Sequence, residues 1–187
     1  MHILIFTSSP NKDGLTFSCA QALRDGILEG GGTCEIVCLN DRKVGNCQAC
    51  DRGWGTCLTE HVCQILDDFQ SIHNQVIMAD GYAFVTPVYW GDMSESAKAF
   101  TDRLRRCEAT LRRESRMVDK PVVVVAAAGG SGNGTISCLQ NFERWVQHVQ
   151  ARIYEMVPVN RWSKETRLAG LLMTGKRLAI EKKQFWE

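Results

Sequence analysis

The chain has 187 residues, with 22 basic and 21 acidic side chains and a formal net charge of +1. This length is enough for one ordinary domain, and 44% hydrophobic with 23% charged residues is a globular composition. The nearly balanced charge argues against nucleic acid or a strongly acidic molecule as a partner. The longest apolar run, Val122 to Ala128, is too short to cross a bilayer, so we expect no membrane partner and a cytoplasmic location.

Strand and helix patterns alternate along the whole chain. Strands are predicted at 2–6, 34–39, 81–85, 121–128 and 152–157, and helices at 16–29, 64–78, 94–113, 135–150 and 163–185. Such an order, without an internal repeat or linker, predicts one domain over 1–187. The expected fold is α/β and flavodoxin-like, a doubly wound five-stranded parallel sheet of order 2-1-3-4-5 with helices on both faces.

Three segments of unusual composition follow the first, third and fourth predicted strands. Residues 7–16 are rich in hydroxyls and lead into a helix N-terminus, which favours a phosphate. Residues 86–93 hold two adjacent aromatic residues and are predicted to be a loop, because Pro87 should end the strand. Residues 129–134 contain four glycines. These segments meet at one sheet edge in the predicted topology, so they predict a site for a planar phosphorylated ligand.

Four of the nine cysteines fall in one irregular segment, residues 41–63. These candidate metal ligands are Cys47, Cys50, Cys57 and Cys63. An odd cysteine count without an export signal argues against a disulfide framework and favours metal binding or redox chemistry. A 4Fe-4S cluster, a zinc site that includes His61, and free thiols all stay open at this point.

Six arginines make one strongly basic segment near the middle of the chain. They are Arg103, Arg105, Arg106, Arg112, Arg113 and Arg116. We predict a solvated helix face, with recognition of the 2'-phosphate of NADPH or of an acidic subunit as the alternative.

The first loop and the segment 86–91 resemble the NADPH-dependent FMN reductase family. In that family the first loop runs Gly-Ser-Pro-Arg, two variable residues, then Gly-Asn-Thr. The present loop keeps the Ser-Pro, the second glycine and the threonine, but Asn11 replaces the arginine and Leu15 the asparagine. The second motif is intact as Thr-Pro-Val-Tyr-Trp-Gly.

The resemblance implies that FMN lies across the three loops. The residues expected to border it are Ser8, Ser9, Asn11, Lys12, Gly14, Leu15, Thr16, Pro87, Val88, Tyr89, Trp90, Gly91, Gly129 and Gly130. Lys12 is expected to supply the positive charge that is lost with the arginine. No side chain is expected to be catalytic, because the hydride and electron chemistry belongs to the flavin.

Within the family, the cysteine spacing is similar to that of the iron-sulfur flavoproteins. Cys47 and Cys50 match their Cys-x2-Cys pair, whereas Gly53 stands where the third cysteine is expected. Cys57 could serve instead, with Cys63 as the fourth ligand of a 4Fe-4S cluster.

The function implied is an FMN-dependent oxidoreductase that passes electrons from the co-substrate NAD(P)H to a quinone, a flavin or another acceptor. One alternative is an iron-sulfur flavoprotein electron carrier that receives electrons from ferredoxin. A second alternative is a non-enzymatic zinc or thiol redox-sensing module. The resemblance also implies a homodimer or homotetramer.

Overall fold

The computed structural model describes residues 1–180, in which strands and helices alternate. The strands are β1 (His2–Thr7), β2 (Thr33–Cys38), β3 (Gly81–Tyr89), β4 (Asp92–Met93), β5 (Pro121–Ala128) and β6 (Arg152–Asn160). The helices are α1 (Leu15–Glu29), α2 (Thr56–Thr59), α3 (Phe69–Met78), α4 (Glu95–Glu108), α5 (Thr135–His148) and α6 (Lys164–Ile180). The predicted continuation of the last helix to residue 185 lies outside the described residues. No helix within the described range is long and apolar enough to span a membrane.

Five parallel strands form the sheet in the order β2-β1-β3-β5-β6. This arrangement is the flavodoxin-like fold, but the prediction of only five strands is wrong. A sixth strand, β4, pairs antiparallel with the end of β3 and lies off the main path of the sheet. Helices α1 and α6 cover one face of the sheet, and α3, α4 and α5 cover the other.

Strand β5 lies inside the sheet, between β3 and β6, and this position explains why its sequence is a continuous apolar run. Val122 and Val124 belong to the hydrophobic cluster beneath α3, α4 and α5, whereas Val123 and Val125 belong to the cluster beneath α1 and α6. Successive side chains of a strand point to opposite faces, so both faces of β5 must be apolar. The burial of this strand fixes the position of the loop that follows it.

The prediction that Pro87 ends the third strand is wrong. β3 continues to Tyr89, and Pro87 lies opposite Ala127 of β5. The ladder between β1 and β3 ends at Val85, so β3 has a sheet neighbour on one side only at Pro87. A proline is tolerated where one side of a strand has no ladder to join. The segment predicted as a loop is therefore a β-hairpin formed by the end of β3 and β4.

Helix α3 begins at Phe69 rather than at residue 64. The carboxylate of Asp67 accepts a hydrogen bond from the backbone N–H of Phe69 at 3.0 Å, at the start of the helix. Leu66, which lies within the predicted helix, is fully exposed. The apolar residues before Asp67 therefore belong to the irregular cysteine segment.

Other boundaries also differ from the predictions. Helix α4 ends at Glu108, and a 3-10 segment, Ala109–Glu114, continues the chain with Arg112 at a φ of 51°. Strand β6 extends to Asn160. These changes leave the order of the main elements as predicted.

Helices α1 and α6 approach closely through two glycines. A Cβ atom on Gly26 would lie 1.9 Å from the carbonyl oxygen of Leu172, and one on Gly175 would lie 2.4 Å from that of Leu23. Both obstacles are backbone atoms of the facing helix. The packing of the two helices therefore requires glycine at both positions.

We expect Gly26→Ala and Gly175→Ala each to destabilise the protein by about 1–3 kcal/mol, because the helices must move apart. Gly170→Ala is the matched control, since Gly170 lies in α6 and no described atom is within 4 Å of its added Cβ. This variant should be neutral or up to about 1 kcal/mol more stable, because alanine favours a helix. Urea unfolding followed by circular dichroism measures all three. Equal effects of the three substitutions would contradict the proposed close contact.

Candidate functional site

Hydrogen bonds join the first loop to the end of β3 at the carboxyl edge of the sheet. The backbone N–H of Ser8 donates to the carbonyl of Val85 at 3.2 Å, and its hydroxyl donates to Thr86 Oγ1 at 2.9 Å. The hydroxyl of Ser94, the residue before α4, donates to the carbonyl of Ser8 at 2.9 Å. The buried side chain of Ser8 is thus engaged with protein groups, and the loop that follows it has a fixed starting point.

The first loop folds over the N-terminus of α1. The backbone N–H of Asn11 donates to Ser9 Oγ at 3.2 Å, and the side-chain oxygen of Asn11 accepts from the N–H of Asp13 at 3.2 Å. Gly14 occupies the N-cap position, and within the described chain no side chain caps this helix end. The first turn of α1 also contains no acidic residue. Its free N–H groups are therefore available to an anion.

Lys12 lies in the same loop, but its ammonium group is already paired. Its Nζ atom lies 2.6 Å from Asp41 Oδ2, and both side chains are about half exposed. An exposed pair of this kind is weak and can exchange with another anion.

The hairpin at the end of β3 presents two aromatic residues at its tip. Trp90 and Gly91 form its two-residue turn, with φ values of 51° and 81°. A positive φ is unfavourable for a bulky residue, and Trp90 is fully exposed although it is apolar. The close packing of Gly91 on Gly134 holds the hairpin, since a Cβ on Gly134 would lie 2.7 Å from Gly91 Cα.

The third loop leaves open space beside this hairpin. Gly129 and Gly130 directly follow β5, and no described atom lies within 4 Å of a Cβ built on either residue. The structure thus places the three predicted loops at the ends of neighbouring strands.

An open groove of about 660 Å³ lies between the hairpin and the start of α4. Tyr89 and Trp90 line one wall, and Lys98 and Ala99 of α4 line another. Asn46, from the cysteine segment, also borders the groove.

All four candidate metal-ligating cysteines line a second, small cavity. Cys47, Cys50, Cys57 and Cys63 border it. Within the described residues, no three His, Cys, Asp or Glu side chains are close enough together to hold a single metal ion. His61 is not part of the lining, and its Nδ1 atom lies 2.9 Å from Thr110 Oγ1.

This arrangement matters for the kind of metal site that fits. Tetrahedral zinc, with Zn–S bonds of about 2.3 Å, needs its sulfur ligands within about 4 Å of one another. In a 4Fe-4S cluster each cysteine binds a different iron, so the thiolates surround a volume instead of a point. Four thiols around one cavity have the donor chemistry of the cluster.

Arg103 was not predicted as a site residue, and the prediction of a solvated face is wrong for it. Its side chain is 1% exposed. It lines the cysteine cavity, pairs with Asp67 and donates to Cys63 Sγ at 3.2 Å. The sequence held one signal of this burial, because Arg103 lies three residues after Phe100 and four before Cys107, on the apolar face of α4.

Charge pairing shifts the pKa values of both partners. Burial by itself raises the pKa of Asp67, but hydrogen bonds from Arg103 and from two backbone N–H groups outweigh this effect and hold the pKa below its ordinary value of 3.8. Burial lowers the pKa of Arg103, but its bonds to Asp67 and Cys63 outweigh this effect and raise it. The pair is therefore ionised at neutral pH.

The groove and the cysteine cavity are close to each other. Asn46 borders the groove, and the next residue, Cys47, borders the cavity. On α4, Ala99 borders the groove and Arg103 the cavity, a separation of about 6 Å along the helix axis.

We expect Asp67→Asn to lower the free energy of unfolding at pH 7 by about 3 kcal/mol, because it leaves a buried guanidinium without its counterion. Asp102→Asn is the control, since Asp102 pairs with Lys98 on the exposed surface and should contribute less than about 1 kcal/mol. Denaturant unfolding between pH 7 and pH 3 measures both variants.

The pH dependence gives a further check on the same variant. A lowered pKa of Asp67 contributes stability that is present above pH 3.8 and is lost as the pH falls through the folded-state value. The difference in the free energy of unfolding between the wild type and Asp67→Asn should therefore become smaller at acid pH. A difference that does not change with pH would contradict the assigned ion pair.

Comparisons with known proteins identify the family of this chain. Residues 1–161 match the family described as NADPH-dependent FMN reductase. An iron-sulfur flavoprotein of Methanocaldococcus jannaschii is 29% identical over 142 residues, which are 76% of this chain and 71% of that protein. An iron-sulfur flavoprotein of Methanosarcina thermophila is 29% identical over 154 residues, 82% of this chain and 76% of that protein.

The fold is also that of a solved oxidoreductase. The NAD(P)H:quinone oxidoreductase from Methanothermobacter marburgensis superposes with a TM-score of 0.71 at 19% sequence identity, covering 97% of this chain and 98% of that chain. A likeness at this identity establishes the fold alone. The family match covers most of the sequence, and the chain therefore belongs to the NADPH-dependent FMN reductase family.

Proposed function

We propose that this protein is an FMN-dependent oxidoreductase that passes electrons from NAD(P)H to a quinone, a flavin or another small acceptor. The observation that carries the proposal is the meeting of three loops at the carboxyl edge of the sheet, next to an α1 N-terminus without a side-chain cap. Membership of the FMN reductase family supports FMN as the cofactor. The similarity in fold to a quinone oxidoreductase is compatible with the class of acceptor.

The first loop would hold the phosphate of FMN. Free N–H groups at the first turn of α1 point along the helix dipole, which favours a dianion. The hydroxyls of Ser9 and Thr16 and the side chain of Asn11 would add hydrogen bonds. Lys12 would contribute its charge by exchanging Asp41 for the phosphate.

The second and third loops would border the ring system. The backbone from Pro87 to Gly91 and the side chains of Tyr89 and Trp90 would support one side of the ring. Gly129 and Gly130 would leave room for it, because no side chain projects from either position. Bound at these loops, FMN would supply the hydride and electron chemistry that links NAD(P)H to the acceptor. The protein would orient the ring and shield one side of it from water.

We expect Gly14→Asp to weaken FMN binding at least tenfold, because a carboxylate at the N-cap would occupy the N–H groups and repel the phosphate. Gly14→Asn is the matched control, since it adds the same shape without the charge and should weaken binding less. At Gly14 the φ angle is −85°, and an added Cβ would lie 3.2 Å from the flexible side chain of Asn11, so both variants should fold.

Quenching of flavin fluorescence during FMN titration measures the affinity, and NAD(P)H oxidation with a soluble quinone measures the activity. Wild-type protein that cannot hold FMN supplied in excess would overturn the proposed function. Wild-type affinity for FMN in both variants would instead show that the phosphate lies elsewhere.

A second candidate function is an iron-sulfur flavoprotein that carries electrons received from a ferredoxin. The specific observation in its favour is that all four candidate cysteines line one cavity beside the groove. In this proposal Cys47, Cys50, Cys57 and Cys63 would each bind one iron of a 4Fe-4S cluster. The similarity to two iron-sulfur flavoproteins supports it.

Iron analysis separates the two candidates. We expect wild-type protein assembled without oxygen to contain about four irons and four acid-labile sulfides per chain. Cys57→Ser should lose most of this iron while it keeps FMN, because Cys57 lines the cysteine cavity and not the groove. Cys34→Ser is the control, because Cys34 lies in β2 and does not line the cavity. Full iron content in Cys57→Ser would contradict the assignment of this cysteine.

A further inference from the structure

Arg103 joins the two ends of the cysteine segment. Nη1 donates to the carbonyl of Gly45 at 3.0 Å and to Asp67 Oδ2 at 2.6 Å. Nη2 donates to Asp67 Oδ1 at 2.9 Å and to Cys63 Sγ at 3.2 Å. Gly45 precedes the first cysteine of the segment and Asp67 follows the last. One buried guanidinium therefore fixes the chain on both sides of the four cysteines.

The contact with sulfur is not needed to balance the charge of this arginine. Asp67 already supplies a carboxylate in a forked arrangement, which is the strongest partner that a guanidinium finds in proteins. In addition, the buried Nε atom of Arg103 has no hydrogen-bond partner among residues 1–180. A buried donor without an acceptor costs about 1–3 kcal/mol. Arg103 thus has donor capacity beside a cavity lined by thiols.

Donors and positive charges near the sulfurs of an iron-sulfur centre have a known effect. The centre becomes more negative when it gains an electron, so N–H groups directed at its sulfurs stabilise the reduced form. The residues around the ligands also fix the ligand orientation. Among the described residues, Arg103 is the arginine that donates to a cysteine of this cavity.

We propose that Arg103 raises the reduction potential of an iron-sulfur centre in the cysteine cavity through its hydrogen bond to Cys63 and its buried charge. Arg103 is a positioning residue, because it acts through Cys63 and not on a substrate. The inference rests on the second candidate function and names the residue that controls the centre.

Arg106 offers a matched control on the same helix. It lines the same cavity, donates to the carbonyl of Gly53 at 2.5 Å and stacks over the ring of Trp54 at 4.4 Å. The described contacts of Arg106 include no cysteine sulfur. Its replacement removes one positive charge from the cavity but no N–H···S bond.

The experiment compares wild type, Arg103→Gln, Arg103→Lys and Arg106→Gln after assembly with iron and sulfide under anaerobic conditions. Spectroelectrochemical titration gives the midpoint potential, and resonance Raman spectra give the Fe–S(Cys) stretching bands. We expect Arg103→Gln to lower the ratio of reduced to oxidised centre at least tenfold at fixed ambient potential, equivalent to about 59 mV for one electron. Arg103→Lys should recover part of this loss because it keeps the charge, and Arg106→Gln should have a smaller effect. The Fe–S(Cys) bands should shift in both Arg103 variants only.

A wild-type potential in Arg103→Gln, or an equal shift in Arg106→Gln, would overturn the inference. If Arg103→Gln assembles no centre, the test rests on Arg103→Lys. A wild-type reduction potential and wild-type Raman bands in Arg103→Lys would then overturn the inference. Loss of the centre in both Arg103 variants, with FMN and the circular dichroism spectrum retained, would assign Arg103 to ligand assembly alone and would also overturn it. Wild-type protein that assembles no centre would instead overturn the second candidate function, together with this inference, and would leave the FMN proposal standing.

Discussion

The parallel ladders that join β1, β3 and β5 are the constraint on which the candidate site depends. They place Thr7 opposite Val85, and Pro87 opposite Ala127, so the loops after all three strands leave the same edge of the sheet. Strand β5 is buried on both faces, so its ends have a fixed position between the two layers of helices. The free helix end, the aromatic hairpin and the glycine loop are thus held together by the core and not by contacts among themselves alone.

Local patterns were sufficient to predict most of this framework. The apolar run 122–128 and the helix patterns on both sides of the sheet are properties of short stretches, and they gave the order of the main elements and the loops at the edge. Local patterns could not predict the end of the third strand, because the effect of Pro87 depends on which strands lie beside β3 at that position. The sequence alone does not indicate that the ladder between β1 and β3 ends at Val85.

The start of α3 and the environment of Arg103 could not be predicted for a related reason. Both involve Asp67, which accepts the N–H of Phe69 at the start of α3 and pairs with Arg103, 36 positions further along the chain. In the sequence Arg103 is one of six neighbouring arginines, and a cluster of positive charges favours a solvated helix face. Its position between Phe100 and Cys107 on the apolar face of α4 was the signal that could have indicated burial. The role of the predicted flavin-binding residues stays a prediction, although the structure brings their loops together.

The candidate site combines two regions that are built in different ways. The carboxyl edge of the sheet, from which the three loops leave, is made of strand ends and is fixed by backbone hydrogen bonds. The cysteine segment, residues 41–63, and the residues that join it to α3 contribute no strand to the sheet. Side chains of α4 and of the turn after it hold this segment, through Arg103, through Arg106 on Gly53, and through Thr110 on Cys57.

This mode of attachment has an evolutionary consequence. A segment that contributes no strand to the sheet can gain, lose or move a cysteine without disturbing the register of the strands. Gly53 and Cys57 both lie in this segment. The cysteines of this segment could therefore change while the ladders that bring the three loops together stay the same.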